Sequence, residues 1–190
     1  MKPTAYRSQA RRVAYSIVLA ALSIALSPIS IPTGLAKLSP TQALINVLAA
    51  VLVGPWWGLG IALITSILRN MMGLGTPLAF PGSMFCVLLA GLLYSRTRSI
   101  YLTAAGEIIG TGVVGAVVGA WVIAPYIMGK SIELGVLILP FQLSSMLGAV
   151  LGIIGYFTLR RAGFVQNERN KISVTTEMLP SSPQSEPGQS

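Results

Sequence analysis

The chain has 190 residues, of which 53% are hydrophobic and 9% charged, with 13 Lys and Arg against five Asp and Glu. Its apolar stretches are too long and too numerous for a soluble core, and they predict an all-α polytopic membrane protein. One cysteine and no histidine exclude disulfide frameworks, His-based metal sites and His-dependent nucleophilic catalysis. We therefore predict neither an enzyme nor a protein that holds a cofactor or metal. The net charge of +8 indicates cytoplasmic loops next to a lipid bilayer rather than a nucleic-acid-binding surface.

Apolar segments predict six transmembrane helices within a domain at residues 13–159. The segments are Val13–Ile29, Thr41–Val53, Trp56–Met72, Gly82–Ser95, Ile100–Ala124 and Leu134–Leu159. The second and fourth are short, because 13 or 14 residues reach only about 20 Å, against roughly 30 Å for the hydrocarbon core. Residues 1–12 form a basic N-terminus. Residues 160–190 form a polar tail that we predict to be disordered.

The distribution of Lys and Arg predicts the orientation. With six spans and the N-terminus inside, ten of the 13 basic residues lie on the cytoplasmic side, and Lys37, Arg69 and Lys130 lie outside. The positive-inside rule favours this arrangement, a multi-pass protein of the plasma membrane with both termini cytoplasmic. The first segment resembles a signal peptide in charge and length, but no small-x-small cleavage site follows it, which favours a retained helix.

The least helical interruption of the apolar sequence is Arg69–Ser83, RNMMGLGTPLAFPGS. Its glycines and prolines predict a non-helical loop. At membrane depth such backbone must be buried in protein or line a wet cavity, because lipid offers its amides no partners. We predict a substrate lid that hinges on the glycines, with Phe80 stacking on a ring of the substrate and Thr76 offering a hydroxyl.

Polar side chains from four sequence-distant segments fall on the outer half of the predicted bundle. They are Gln42 and Asn46 at the start of the second helix, Arg69 and Asn70 at the end of the third, Thr76 and Phe80 in the loop, and Gln142 and Ser145 in the sixth helix. Their convergence at one level predicts a small-molecule pocket that opens outward. The alternative is that these residues are merely interfacial, with each Ser or Thr bonding its own helix backbone.

Glu107 is a carboxylate about 10 Å into the fifth helix, counted at 1.5 Å per residue. A charge at such depth costs about 2.5 to 3.5 kcal/mol on insertion scales for Asp or a basic residue, so it should face the bundle and have a partner. It could bind a cationic or hydrogen-bond-donating ligand, or it could pair with an amide or stay protonated. Thr103 and Thr111 share its helix face.

Four motifs give the chain a family resemblance over residues 10–160. They are P-x-Q-x-x-x-N at Pro40, Gln42 and Asn46, VLVGP ending at Pro55, LRNMMGLGTPLAFPGSM from Leu68 to Met84, and GEIIGTG from Gly106 to Gly112. With these the chain resembles the substrate-binding S components of energy-coupling factor (ECF) vitamin transporters, most closely the ThiW type, associated with the thiazole precursor of thiamine. Family members often carry a His after the Gln of the second-helix motif, where this chain has Ala43.

The resemblance implies a six-helix S component that captures a small heteroaromatic vitamin precursor, such as hydroxyethylthiazole, from outside. It implies that a small-residue motif in the first helix contacts the ECF coupling subunit, and Ala21 and Ala25 match that motif. ATPase subunits would supply the energy, since the chain has no Walker A sequence. The alternatives are a stand-alone carrier or channel for a small molecule, or an S component for another vitamin. A carrier would normally show an internal repeat or an ion-coupling carboxylate pair.

Overall fold

The computed structural model describes residues 3–33 and 36–163. Its helices are α1 Pro3–Ala25, α2 Pro40–Leu52, α3 Pro55–Met71, α4 Ala79–Thr97, α5 Ile100–Tyr126 and α6 Leu134–Arg161. The prediction of an all-α membrane protein is confirmed, with six helices over these two ranges. The predicted tail falls largely after residue 163, outside the described residues.

Two observed features correct the boundaries that the sequence predicts. A short antiparallel hairpin, strands β1 Ile31–Thr33 and β2 Ala36–Leu38, occupies the connection between α1 and α2. The Arg69–Ser83 interruption is shorter than predicted, since α3 runs to Met71 and α4 begins at Ala79. Pro81 lies in the first turn of α4, where backbone N–H groups have no intrahelical acceptor, so proline is tolerated there. Phe80 is therefore helical, and α4 has 19 residues instead of the predicted 14.

Three of the helices are long and apolar enough to cross a membrane: Ala79–Thr97, Ile100–Tyr126 and Leu134–Arg161. Helix α2 is apolar but has only 13 residues, about 20 Å at the helical rise. The described residues thus support a polytopic membrane protein. The number of spans and the orientation of the termini stay predictions.

Helix α2 lies at the centre of the bundle. It contacts each of the other five helices, most extensively α6. The contact with α6 is close at two glycines: a Cβ added at Gly148 would lie 2.2 Å from Ala43 Cβ, and one at Gly152 would lie 2.8 Å from Val47 Cβ. Glycine permits this approach of two backbones, as small residues do between membrane helices. The polar residues of α2 are consequently held deep inside the protein.

A second close seam joins α5 to α4. Its contacts run antiparallel along the two helices, with Gly106 on Ala90, Gly110 on Cys86 and Gly115 on Gly82. The spacing from Gly110 to Gly115 is five residues, because Gly110–Gly115 forms a π-helical turn with hydrogen bonds from residue i to i+5. The widened turn keeps glycine facing α4 on both sides of it. The π turn was not predicted from the sequence.

Candidate substrate-binding site

A cavity lies among α2 to α6, next to the hairpin, and its empty space is about 510 Å³ when the part open to solvent is included. The residues that line it come from β2, the start of α2, the end of α3, the following loop, the start of α4, and the middle of α5 and α6. They are Lys37, Ser39, Gln42, Ala43, Asn46, Arg69, Gly75, Thr76, Ala79, Gly82, Ser83, Glu107, Thr111, Phe141 and Ser144. The mixture of apolar wall and converging polar groups is typical of small-molecule sites.

Arg69 enters this cavity from the last turn of α3 and is 3% exposed. Its Nη1 donates a hydrogen bond to Gln42 Oε1, and its Nη2 donates to Ser39 Oγ at 3.1 Å. Its Nε is buried and has no acceptor among the described residues. The guanidinium therefore ties α3 to the start of α2 through neutral partners, with part of its hydrogen-bonding capacity unused.

Glu107 lies on the α5 side of the cavity and is fully buried. Its Oε1 accepts a hydrogen bond from Thr111 Oγ1 at 2.8 Å, one helical turn along. Its Oε2 is buried without a donor in the part of the chain that the structure describes. Asn46 and Cys86 are its other polar neighbours, and Asn46 Nδ2 donates to Cys86 Sγ at 3.0 Å. A carboxylate oxygen without a donor is costly at this depth, and a ligand that donates a hydrogen bond would relieve the cost.

The hairpin and the loop at residues 72–78 meet beside the cavity. Lys37 Nζ, on β2, donates a hydrogen bond to Gly73 O at 2.9 Å. The loop is also fixed to the end of α3, because the backbone N–H groups of Leu74 and Gly75 donate to Arg69 O at 2.8 and 2.9 Å. Gly73 has φ +70°, a left-handed conformation that glycine adopts without strain. The loop thus turns sharply and places Gly75 and Thr76 on the cavity wall.

The structure brings together five of the nine predicted binding residues: Gln42, Asn46, Arg69, Thr76 and Glu107 all line the cavity. The other four lie away from its wall. Asn70 Nδ2 donates to Ser66 O at 2.8 Å and to Thr76 O at 3.5 Å, bracing the loop. Phe80 is half-buried in the first turn of α4.

Gln142 and Ser145, also predicted as binding residues, face α5 at its π turn instead of the cavity. Ser145 Oγ donates to Gln142 O at 3.0 Å and lies 3.4 Å from Gln142 Oε1. The Gln142 side chain fills the space left by a glycine, since a Cβ added at Gly112 would lie 2.0 Å from Gln142 Oε1. These two residues bond to each other within α6 and pack against α5 at Gly112.

Five cavity residues with polar side chains were not among the predicted binding residues: Lys37, Ser39, Ser83, Thr111 and Ser144. Thr111 follows Glu107 by one turn, a spacing that already placed both on one face. Ser144 is adjacent to the predicted Ser145. Which of the two faces the cavity depends on how α6 is rotated about its axis, and the sequence does not show that rotation. Ser39 N donates to Ser144 Oγ at 3.0 Å. No comparable signal pointed to Ser39, Ser83 or Lys37.

Outside the cavity, Ala21 and Ala25 of α1 are exposed on the surface of the protein. They share that face with large apolar residues such as Ile17 and Val18, which are 64% and 62% exposed. An apolar face with small residues can lie against lipid or receive another helix closely. Between residues 3 and 163, outside the 34–35 gap, no group of three or more His, Cys, Asp or Glu could hold a metal ion.

A bundle of six helices, three of them long and apolar enough to cross a membrane, with a polar cavity beside a loop and a hairpin, defines the class: a polytopic membrane protein with a candidate site for a small molecule. The chain belongs to the family of thiamine-precursor transporter proteins (ThiW), whose family model matches residues 13–162. Searches of the curated proteins and of the solved structures gave no significant match. The family identifies the chain as a membrane transport protein for a thiamine precursor, and it confirms the ThiW-type resemblance seen in the sequence.

Proposed function

We propose that the chain is the substrate-capture subunit of an ECF-type transporter and that its ligand is a thiazole precursor of thiamine such as hydroxyethylthiazole. The ligand would bind in the cavity from outside the cell. The chain itself would catalyse no reaction, and separate ATPase subunits would drive transport. The family supports a thiamine precursor as cargo, and the apolar and polar residues that line the cavity support a small ligand with both kinds of surface.

One observation carries this proposal. Within the described residues, only three buried side-chain polar atoms lack a hydrogen-bond partner: Ser23 Oγ, Arg69 Nε and Glu107 Oε2. Two of these three belong to residues that line the cavity. Buried polar groups in folded proteins are almost always paired, so an unpaired donor and an unpaired acceptor on residues that line one cavity support a ligand that completes the bonding. Hydroxyethylthiazole has a ring nitrogen that accepts and a hydroxyl that donates.

The test is mass spectrometry of ligand that co-purifies with the protein, followed by equilibrium binding of hydroxyethylthiazole in detergent. We expect Arg69→Ala to weaken binding by about 1.5 to 3 kcal/mol, the range for hydrogen bonds that involve charged groups, and Asn46→Ala to weaken it by about 0.5 to 1.5 kcal/mol, the range for neutral ones, with expression near normal in both. Arg96→Ala is the matched control, because Arg96 is exposed in the last turn of α4. Wild-type affinity in both cavity variants would refute the site.

The coupling partner is tested separately on α1. We expect Ala21→Trp and Ala25→Trp to reduce co-purification with ECF subunits and to leave ligand binding intact, because a bulky side chain blocks close helix approach far from the cavity. Leu147→Trp is the control, since Leu147 is an exposed residue of α6. An unchanged yield of the complex would show that the alanine face packs only against lipid.

A further inference from the structure

Arg69 is a buried cation without an anionic partner. Its two acceptors, Gln42 Oε1 and Ser39 Oγ, are both neutral. The described residues contain two carboxylates, Glu107 and Glu133, and neither forms an ion pair with it. A guanidinium has five N–H donors, of which these two bonds use two. A buried charge is normally paired, because removing it from water without a counter-ion is unfavourable.

A second cation lies at the same side of the cavity. Lys37 lines the wall and uses one of its ammonium donors on Gly73 O. The end of α3 and the hairpin are joined there, because Arg69 also bonds Ser39, the residue just after β2. Glu107 lies elsewhere, among Thr111, Asn46 and Cys86. The cavity is thus positively charged on one side, where the hairpin and the loop meet, and carries its carboxylate on the α5 side.

We infer that the cavity selects a ligand with an anionic substituent, a carboxylate or a phosphate ester, which lies against Arg69 and Lys37 while the rest of the ligand donates a hydrogen bond toward Glu107. This inference rests on the proposed function for the identity of the heterocycle. The inference goes beyond the proposed function by assigning a negative charge to the ligand. The neutral alcohol hydroxyethylthiazole would leave Arg69 without a counter-ion, whereas an acidic thiazole supplies one.

The chemistry of the two cations fits this assignment. The planar fork of Arg matches the oxygens of a carboxylate or phosphate, and hydrogen bonds between charged groups are about twice as strong as neutral ones. Lys37 adds a compact point charge on a flexible stem, with two ammonium donors left beside its bond to Gly73 O. Arg69 is held in place before the ligand arrives by Gln42 and Ser39, so little side-chain entropy is lost on binding.

The experiment measures equilibrium binding of three probes to the full chain in detergent: the neutral alcohol hydroxyethylthiazole, its phosphate monoester, and the corresponding thiazole carboxylate. We expect at least one anionic probe to bind about tenfold or more tighter than the neutral alcohol, as a charge-assisted bond with a buried cation requires. The two anionic probes distinguish the phosphate ester from the carboxylate.

Two variants locate the effect. Arg69→Gln keeps a polar side chain but removes the charge, and it should reduce the preference for the anionic probe to about threefold or less. Lys37→Gln should reduce the preference partly, and because Lys37 is only partly buried, its replacement should disturb folding less than that of Arg69. Lys130→Gln removes the same charge from the connection between α5 and α6, away from the cavity wall, and should leave the preference unchanged.

The outcomes separate the inference from the proposed function. If the neutral alcohol binds as tightly as both anionic probes, or if the preference survives in Arg69→Gln and Lys37→Gln alike, the anion site is wrong and the thiazole function stands. If no thiazole binds, the proposed function fails and the inference fails with it. If Arg69→Gln does not fold, the comparison of Lys37→Gln with Lys130→Gln decides the question.

Discussion

Two groups of polar residues inside the helix bundle look alike in the sequence and differ in the structure. The first, here the cavity cluster, comprises Gln42, Asn46, Arg69 and Glu107, and all four line the cavity. The second, here the interface pair, comprises Gln142 and Ser145 between α5 and α6. The pair bonds to itself and leaves no buried side-chain atom without a partner, whereas the cavity cluster leaves Arg69 Nε and Glu107 Oε2 unpaired.

The difference shows what distinguishes a binding site from a packing contact in a membrane bundle. Both groups are polar, both are at least partly buried, and both are contributed by helices that flank the cavity. A polar residue that finds its partner within the protein can serve helix association alone. A buried polar residue that stays unpaired lowers the stability of the protein, and a ligand that completes its hydrogen bonds is the simplest reason for keeping it. The following predictions test this distinction, starting with the largest expected effect.

Glu107→Gln tests the cavity cluster directly. The substitution keeps the size of the side chain and an oxygen that can accept from Thr111, but it removes the negative charge. We expect ligand affinity to fall by about 1.5 to 3 kcal/mol, the range for a hydrogen bond to a charged group. Isothermal titration would measure it. Glu133→Gln makes the same change at an exposed position just before α6, and equal losses in the two variants would remove the distinction between cavity and surface.

Two glycines of the π turn test how tightly each neighbouring helix is packed against α5. Gly110 packs against α4, and Gly112 packs against Gln142 of the interface pair. A Cβ added at Gly110 would lie 2.4 Å from Cys86 Cα, on the backbone of α4, whereas a Cβ added at Gly112 would meet the end of the Gln142 side chain. Backbone cannot move aside as a side chain can. We therefore expect Gly110→Ala to destabilise the protein by about 1 to 3 kcal/mol, the usual cost of overpacking, and Gly112→Ala to cost clearly less.

Thermal unfolding in detergent, with and without ligand, measures this pair of variants. Gly110→Ala should also weaken ligand binding, because the packed helices α4 and α5 each carry a residue of the cavity wall, Ser83 and Glu107. Gly112→Ala should bind normally. If both variants unfold at the same temperature, the α4–α5 seam tolerates a methyl group and does not position the cavity.

Phe80 tests whether the loop closes over the ligand. Phe80 lies in the first turn of α4 and does not line the cavity. If the loop at residues 72–78 and this first turn shift on binding so that Phe80 stacks on a heteroaromatic ring, Phe80→Ala should lower affinity by about 1 kcal/mol. Hydrogen exchange of residues 72–80 should then slow on adding ligand. Unchanged affinity together with unchanged exchange would make the loop a static connection.

The sequence predicted the helices well because apolar length is a strong signal, and it failed where local chemistry is ambiguous. The Pro81-Gly82 pair reads as a loop, yet proline in the first turn of a helix costs little, so α4 begins at Ala79. The hairpin of Ile31–Thr33 and Ala36–Leu38 was missed because three-residue strands next to proline and glycine resemble any polar connection. In the sequence, the only sign of the π turn at Gly110–Gly115 is the spacing of five residues between these two glycines.

For the site, the sequence could predict which residues were costly to bury but not which way each helix is rotated. Arg69 and Glu107 were predicted as binding residues because an ionisable side chain inside a membrane bundle is costly and usually serves a function. Gln42 and Asn46 followed because they lie four residues apart on one helix face. On α6, Gln142 and Ser144 sit two residues apart, so they cannot share a face, and only the packing of Gly148 on Ala43 fixes that Ser144 lines the cavity.

Gln142→Ala is the smallest expected effect and the most direct test of the interface pair. The Gln142 side chain lies against Gly112 and accepts from Ser145, away from the cavity wall. We therefore expect a change in ligand affinity below about 0.5 kcal/mol, as for substitutions away from a functional contact. The substitution removes the hydrogen bond from Ser145 Oγ to Gln142 Oε1 and leaves a space beside Gly112. The free energy of unfolding should therefore fall by about 0.5 to 1.5 kcal/mol, the value of a lost hydrogen bond. An affinity loss as large as that of Glu107→Gln would show that α6 turns Gln142 toward the ligand on binding, and pairing within the protein would no longer separate packing from recognition.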